Sequence, residues 1–152
     1  VETGTAAFYR MLSELTEEPV LRELAARISA DEVRHYKHFY RGFRRYRALE
    51  QPSRLAVART LWSRSAEVES EDALSAYKAI FLGLNPGAAF QRSDYETYRA
   101  ASLKLAKPHI PHEMAIKMLL KPLELHAMVG RAVVPAATSA SRFFLQRYAA
   151  NV

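Results

Sequence analysis

From Leu21 to Arg47 apolar residues recur at the spacing of a helix. At about 100° per residue Leu21, Leu24, Ala25, Ile28, Tyr36, Phe39, Phe43 and Tyr46 fall on one stripe. The charged residues Glu23, Arg27, Arg34, Lys37, Arg41, Arg44 and Arg45 fall opposite, so the pattern predicts an amphipathic helix whose apolar side meets a core. Glu32 and His35 lie in the middle of the apolar stripe. An ionised group aimed at a core costs several kcal/mol unless it finds a counter-charge, a proton or a metal ion.

The same periodicity predicts helices on both sides of this one. A first helix runs from about Glu2 to Leu15, with Phe8, Leu12 and Leu15 inward and Glu2, Thr5 and Tyr9 on its shoulder. In Thr16-Glu17-Glu18-Pro19, Thr16 reads as a cap and Pro19 sits where a missing N–H does no harm. So short a connection makes the first two helices antiparallel neighbours. Gln51-Pro52-Ser53 ends the second helix and caps a third, Arg54 to about Val68, and Ser70 or Glu71 opens a fourth that stops at Asn85-Pro86-Gly87. Ser93-Asp94-Tyr95-Glu96 has the residue types of a capping box and opens a helix that ends before Pro108. Pro111 starts another, with Met114, Met118 and Leu119 inward. Pro122 and Pro135 are expected to break the remainder into short pieces before a last helix around Ser139 to Tyr148. Alternating strand patterns and hairpin dipeptides are missing, so the predicted fold class is all-α.

A length of 152 residues with 49% apolar content predicts a single domain with a sizeable core. The chain has no cysteine, which excludes disulfides, thiolate metal sites and cysteine nucleophiles. Charge interrupts every long apolar stretch, and the expectation is a soluble, cytoplasmic protein with no membrane partner. The net charge of +6 is uneven: seven arginines and a single acid, Glu50, lie between Arg41 and Arg64. This stripe suits an acidic partner, such as an acidic carrier protein, or is a solvated helix face; no nucleic-acid motif accompanies it.

Chemistry concentrates where the first two helices face each other. Counted from the turn at Thr16, Glu2 is about 14 residues back and Glu32 about 16 forward, which at about 1.5 Å per residue places them at similar heights. Glu2, Glu32 and His35 are therefore expected to converge. A glutamate from one helix and a Glu-x-x-His pair from its neighbour form half of a di-metal carboxylate site in a four-helix bundle. Such oxygen-rich donors suit iron or manganese. Tyr9, Tyr36, Phe39, Tyr40 and Phe43 read as core residues or as the lining of a substrate channel. Asp31 reads as support for a ligand or as a surface acid, and His38 as partly exposed.

Glu2, Phe8-Tyr9-Arg10, Thr16-Glu17-Glu18-Pro19-Val20-Leu21 and above all Ile28-Ser29-Ala30-Asp31-Glu32-Val33-Arg34-His35 resemble the ferritin-like superfamily. The likeness is to its rubrerythrin-like and acyl-carrier-protein desaturase-like branches and covers about residues 1–48. It implies an antiparallel helical bundle that binds two iron ions, or manganese, with Glu2, Glu32 and His35 as ligands of one half, and an oxidoreductase using oxygen or peroxide. The chain departs from the pattern in its second half, where no further Glu-x-x-His occurs. Glu67, Glu69, Glu71 and Glu113 are carboxylate candidates, Glu124-Leu125-His126 has the wrong spacing, and Glu113 also reads as a first-turn acid. Three sources for the missing half stay open: a segment preceding Val1, a symmetry-related chain, or none, with Glu32 and His35 paired in a metal-free core. The alternative function is a metal-free helical module that binds an acidic partner through the Arg41 to Arg64 stripe.

Overall fold

The computed structural model describes residues 2–66 and 71–150. Among them are seven α-helices and no strand: α1 (Glu2–Leu15), α2 (Pro19–Glu50), α3 (Arg54–Ala66), α4 (Glu71–Leu84), α5 (Arg92–Ala106), α6 (His112–Leu120) and α7 (Ala127–Ala150). Short 3-10 turns at Lys107–His109 and Lys121–Leu123 flank α6. The all-α reading holds. The expected end of the third helix at Val68, a start at Ser70, and Glu67 and Glu69 all lie outside the described residues.

Helix ends follow local chemistry, with two corrections. The cap of α2 is Glu18, not Thr16: its carboxylate accepts the amides of Val20 and Leu21, and Thr16 Oγ1 accepts the Glu18 amide at 3.3 Å. Those two amides, Leu21 before Val20, hold the Glu18 carboxyl below its usual range. Helix α5 starts at Arg92 rather than at Ser93, because the Asp94 carboxylate reaches back to the Gln91 amide at 2.8 Å. The Ala56 amide donates to Ser53 Oγ at 3.2 Å, so Ser53 caps α3 as expected, and Gly87 takes φ +86° in the predicted stop after α4. Pro135 does not break the chain. It lies inside the 24-residue α7, where it and Arg131, whose carbonyl loses its donor, are both exposed, so water can replace the missing bond.

Packing corrects the predicted helix faces. Helices α1 and α2 form the most extensive contact in the chain, and their seam is built of small residues: Ala6, Ser13, Ala25 and Ser29 are buried. Ser29 Oγ donates to the Ala6 carbonyl at 2.9 Å inside that seam. Phe8, expected inward, is exposed, as are Leu21, Leu24, Phe39 and Tyr46 on α2. The inward positions of α2 are Ala25, Ser29, Glu32, Tyr36, Tyr40, Phe43 and Arg47, a stripe rotated by about 60° from the predicted one. Small residues allow the two backbones to approach closely, and this outweighs burying the larger side chains on the other flank.

Helix α5 contacts α1 and α7, α4 contacts α5, and α3 contacts the 3-10 turn after α6. Helix α6 packs against α7 and α1. The Tyr36 hydroxyl donates to the Met118 carbonyl at 2.6 Å, and Arg47 Nη1 donates to the Pro122 carbonyl at 2.6 Å, tying α2 to α6 and to the turn after it. Among the described residues the buried apolar core is thin: Ala6, Ala25, Val57 and Met118. Accessible surface totals 11333 Å². A compact monomer of this mass exposes about 7,800 Å².

Candidate metal centre and the groove beside it

The turn at Thr16 folds the first turn of α1 back beside the middle of α2. Thr5 Oγ1 lies 3.0 Å from Glu32 Oε2 and 3.2 Å from the Glu2 carbonyl, and its single proton favours the charged acceptor. Thr5, three residues after Glu2, therefore stands level with Glu32. Glu32 is half-buried, its side chain 21% exposed, because α1 covers one side of it.

His35 departs from expectation. Its side chain is 61% exposed, since the rotation of α2 carries it out of the core and puts Tyr36 and Tyr40 inside. Its Nδ1 still faces Glu32 Oε2 at 3.9 Å. Two ligands at right angles on a metal with bonds of about 2.1 Å lie about 3 Å apart, closer than this pair stands. Glu2 lines the adjoining groove. Among the described residues no group of three His, Cys, Asp or Glu side chains stands close enough to hold a metal ion. The donors fit part of a carboxylate–imidazole site, and the described residues do not complete it.

The other candidates have partners of their own. Asp31 pairs with Arg34 on the surface, and His38 is exposed with its ring edge-on to Phe39. Glu113 is a first-turn acid, held below the usual carboxylate range by the hydrogen bond and charge of Lys117, whose Nζ is 2.5 Å away. Glu124 is the counter-ion of the arginine stripe: its carboxylate lies 3.6 Å from Arg44 Nε and 3.5 Å from Arg47 Nη1, and Arg54 donates to its carbonyl at 3.3 Å. These partners hold Glu124 at φ +45°, a conformation that residues other than glycine rarely adopt. His112 is buried, with Nδ1 2.9 Å from Ser141 Oγ, and burial followed by the charge of Arg142 lowers its pKa.

Beside the half-site lies an open groove of about 600 Å³, bounded by Glu2 and Thr3 of α1, by Tyr36, Phe39, Phe43 and Tyr46 of α2, and by Val57 and Leu61 of α3. Tyr36 and Tyr40 stack at 6.1 Å, and Lys121 Nζ sits 5.0 Å from the Tyr40 ring centre. Burial, then the neighbouring Tyr40, pushes the Tyr36 phenol up to about 12. The sequence reading saw these aromatics but missed Thr5 as the group that holds Glu32. A hydroxyl on the α1 shoulder, level with Glu32, was the available signal.

Comparison with protein-family models, with curated proteins and with solved structures finds no match to the chain. The functional reading therefore rests on the arrangement of its own residues. No helix among the described residues is long and apolar enough to cross a membrane.

Proposed function

We propose that the chain carries half of a ferritin-like di-metal carboxylate centre, with iron as the first choice and manganese as the second, and acts in an oxidoreductase that uses oxygen or peroxide. The supporting observation is the Thr5–Glu32–His35 cluster: a carboxylate held by a hydroxyl from the neighbouring helix, with an imidazole nitrogen 3.9 Å away. Glu32 and His35 would hold the metal; Glu2 of α1, the third ligand that the resemblance implies, lines the adjoining groove and forms no three-ligand group with them among the described residues. Bound iron would supply one-electron redox chemistry and an oxygen-binding position. The protein's part is positional. Thr5 orients the Glu32 carboxylate, and the aromatic wall of Tyr36, Phe39 and Phe43 offers an organic substrate an apolar surface beside it.

Anaerobic titration with ferrous iron, followed by metal analysis, tests the reading. Bound iron that is lost in both Glu32→Ala and His35→Ala, with helical circular dichroism retained, is the expected result. A wild-type chain that takes up neither iron nor manganese sinks the proposal.

A second reading is favoured by a different observation. Arg41, Arg45 and Arg59 are exposed, as are Leu49, Leu55 and Trp62 in the same stretch of chain, a mixture of cation and large apolar surface that suits an acidic protein partner. Such binding weakens as salt rises and drops at least tenfold in an Arg41→Glu/Arg45→Glu variant, measured with an acidic carrier protein as probe. Binding that is indifferent to both removes this reading.

A further inference from the structure

A second cleft, of about 500 Å³, lies between α6 and α7 and shares no lining residue with the groove beside the half-site. Its walls are apolar, with Ile110, Ile116, Phe144 and Leu145 as the large side chains, except where His112 of α6 meets Ser141 of α7. His112 Nδ1 stands 2.9 Å from Ser141 Oγ, within reach for proton transfer. With the ring proton on Nε2, Nδ1 accepts the hydroxyl proton of Ser141, the relation that turns a serine into a nucleophile.

The surroundings keep this imidazole in the form a base needs. Burial, then the charge of Arg142, lowers the His112 pKa from its usual 6.5. Its place as the first residue of α6, at the positive end of the helix, acts in the same direction. His112 is therefore neutral at pH 7. Arg142 follows Ser141 in the chain, and after Lys117 its charge also lowers the Glu113 pKa. The guanidinium thus stands by the opening turn of α6, where it offsets negative charge that develops beside Ser141. A bond that merely joined two helices would need none of this. Nucleophile, neutral base, neighbouring cation and apolar cleft occur here together.

We propose that Ser141 and His112 form an acyl-transfer site that hydrolyses small carboxylic esters with an apolar acyl group, Ser141 acting as nucleophile and His112 as general base. Ser141 Oγ attacks the ester carbonyl carbon while its proton passes to His112 Nδ1. The bond from that carbon to the alcohol oxygen breaks, and the alcohol leaves with the proton held by His112. Water then attacks the acyl-serine and gives a proton to His112, which returns it to Ser141 Oγ as the carboxylic acid departs. Ile116, Phe144 and Leu145 take the acyl chain. The site stands independently of the metal reading.

A fluorophosphonate probe and p-nitrophenyl butyrate test this on the 152-residue chain without added metal. Covalent labelling of Ser141, located by peptide mass spectrometry, and an initial burst of p-nitrophenol are expected. Ser141→Ala should take no label. His112→Gln keeps a polar side chain against Ser141, and it should label at least about a hundredfold more slowly with helical circular dichroism unchanged. Because the protein holds His112 neutral below its usual range, the wild-type labelling rate should fall to half at a pH under 6.5. A wild-type chain whose Ser141 takes up no probe overturns the proposal, and this measurement needs no variant that could disturb the helices. Labelling that survives Ser141→Ala overturns it too. His112→Gln labelling at the wild-type rate, or a half-point at or above pH 6.5, removes His112 as the base and reduces the pair to a contact between helices.

Discussion

Tyr36 is the residue whose surroundings have the clearest consequence in solution. Its hydroxyl donates to the Met118 carbonyl, and burial followed by Tyr40 raises its pKa to about 12 from the usual 10.0. In the unfolded chain the phenol ionises near its usual value, so the unfolded state loses this proton first as pH rises. The stability that Tyr36 contributes is therefore complete below about pH 10 and is lost progressively up to about pH 12. Thermal unfolding followed between pH 8 and 12 should show a decline that is shallower in Tyr36→Phe, which has no proton to lose. The variant starts from a lower melting temperature at pH 8, because the Met118 carbonyl loses its donor, at a cost of about 1 kcal/mol. Parallel pH profiles for the two proteins would refute this account. The Tyr36 environment was only half legible in the sequence: the apolar stripe placed the residue inward, but a hydroxyl reaching a carbonyl 82 positions away leaves no local trace.

At the scale of elements, the sequence was informative about where helices begin and end and uninformative about which way they turn. Ends are set by local chemistry, such as Pro19 at the first helical position, Ser53 at a cap and Gly87 in the left-handed region, and each of these occurs where the structure uses it. Rotation is set by the neighbour. Helix α2 carries two apolar faces, one through Leu21, Leu24, Phe39 and Tyr46 and one through Ala25, Tyr36, Tyr40 and Phe43, and periodicity favours the face with more large side chains. The contact with α1 instead selected a seam of Ala6, Ser13, Ala25 and Ser29, with Ser29 against Ala6, where small side chains allow close approach. That choice left the larger face outside and carried His35 with it. The candidate site was legible in the same uneven way: height along the helix followed from counting residues, so Glu32 and the start of α1 meet, while the exposure of His35 depended on rotation. Pro135 repeats the lesson, since a proline breaks a helix only where the orphaned carbonyl cannot find water.

For the molecule as a whole, the quantity to explain is the mismatch between a chain that is 49% apolar and a buried apolar core that, among the described residues, consists of Ala6, Ala25, Val57 and Met118. Four such residues bury little area, and at about 25 cal/mol per Å² a core of this kind offsets little of the entropy lost in ordering seven helices. The large side chains that would fill a core are instead arrayed on the open flank of α2, on α3 and along the groove. A protein built in this way buries less surface on folding than a compact domain of its mass. An unfolded chain of 17.2 kDa exposes about 25,000 Å². Folding to 11333 Å² therefore removes about a fifth less surface from water than folding to about 7,800 Å² would. The heat capacity of unfolding follows the surface exposed, and for a compact chain of this length it is about 2 kcal/mol per K. The value expected here is about 1.6 kcal/mol per K. Calorimetry over a range of pH moves the melting temperature, and the slope of the unfolding enthalpy against that temperature measures this quantity. A slope of about 2 kcal/mol per K or more would mean that the chain in solution buries as much surface as a compact domain. The flank of α2 would then be covered rather than open.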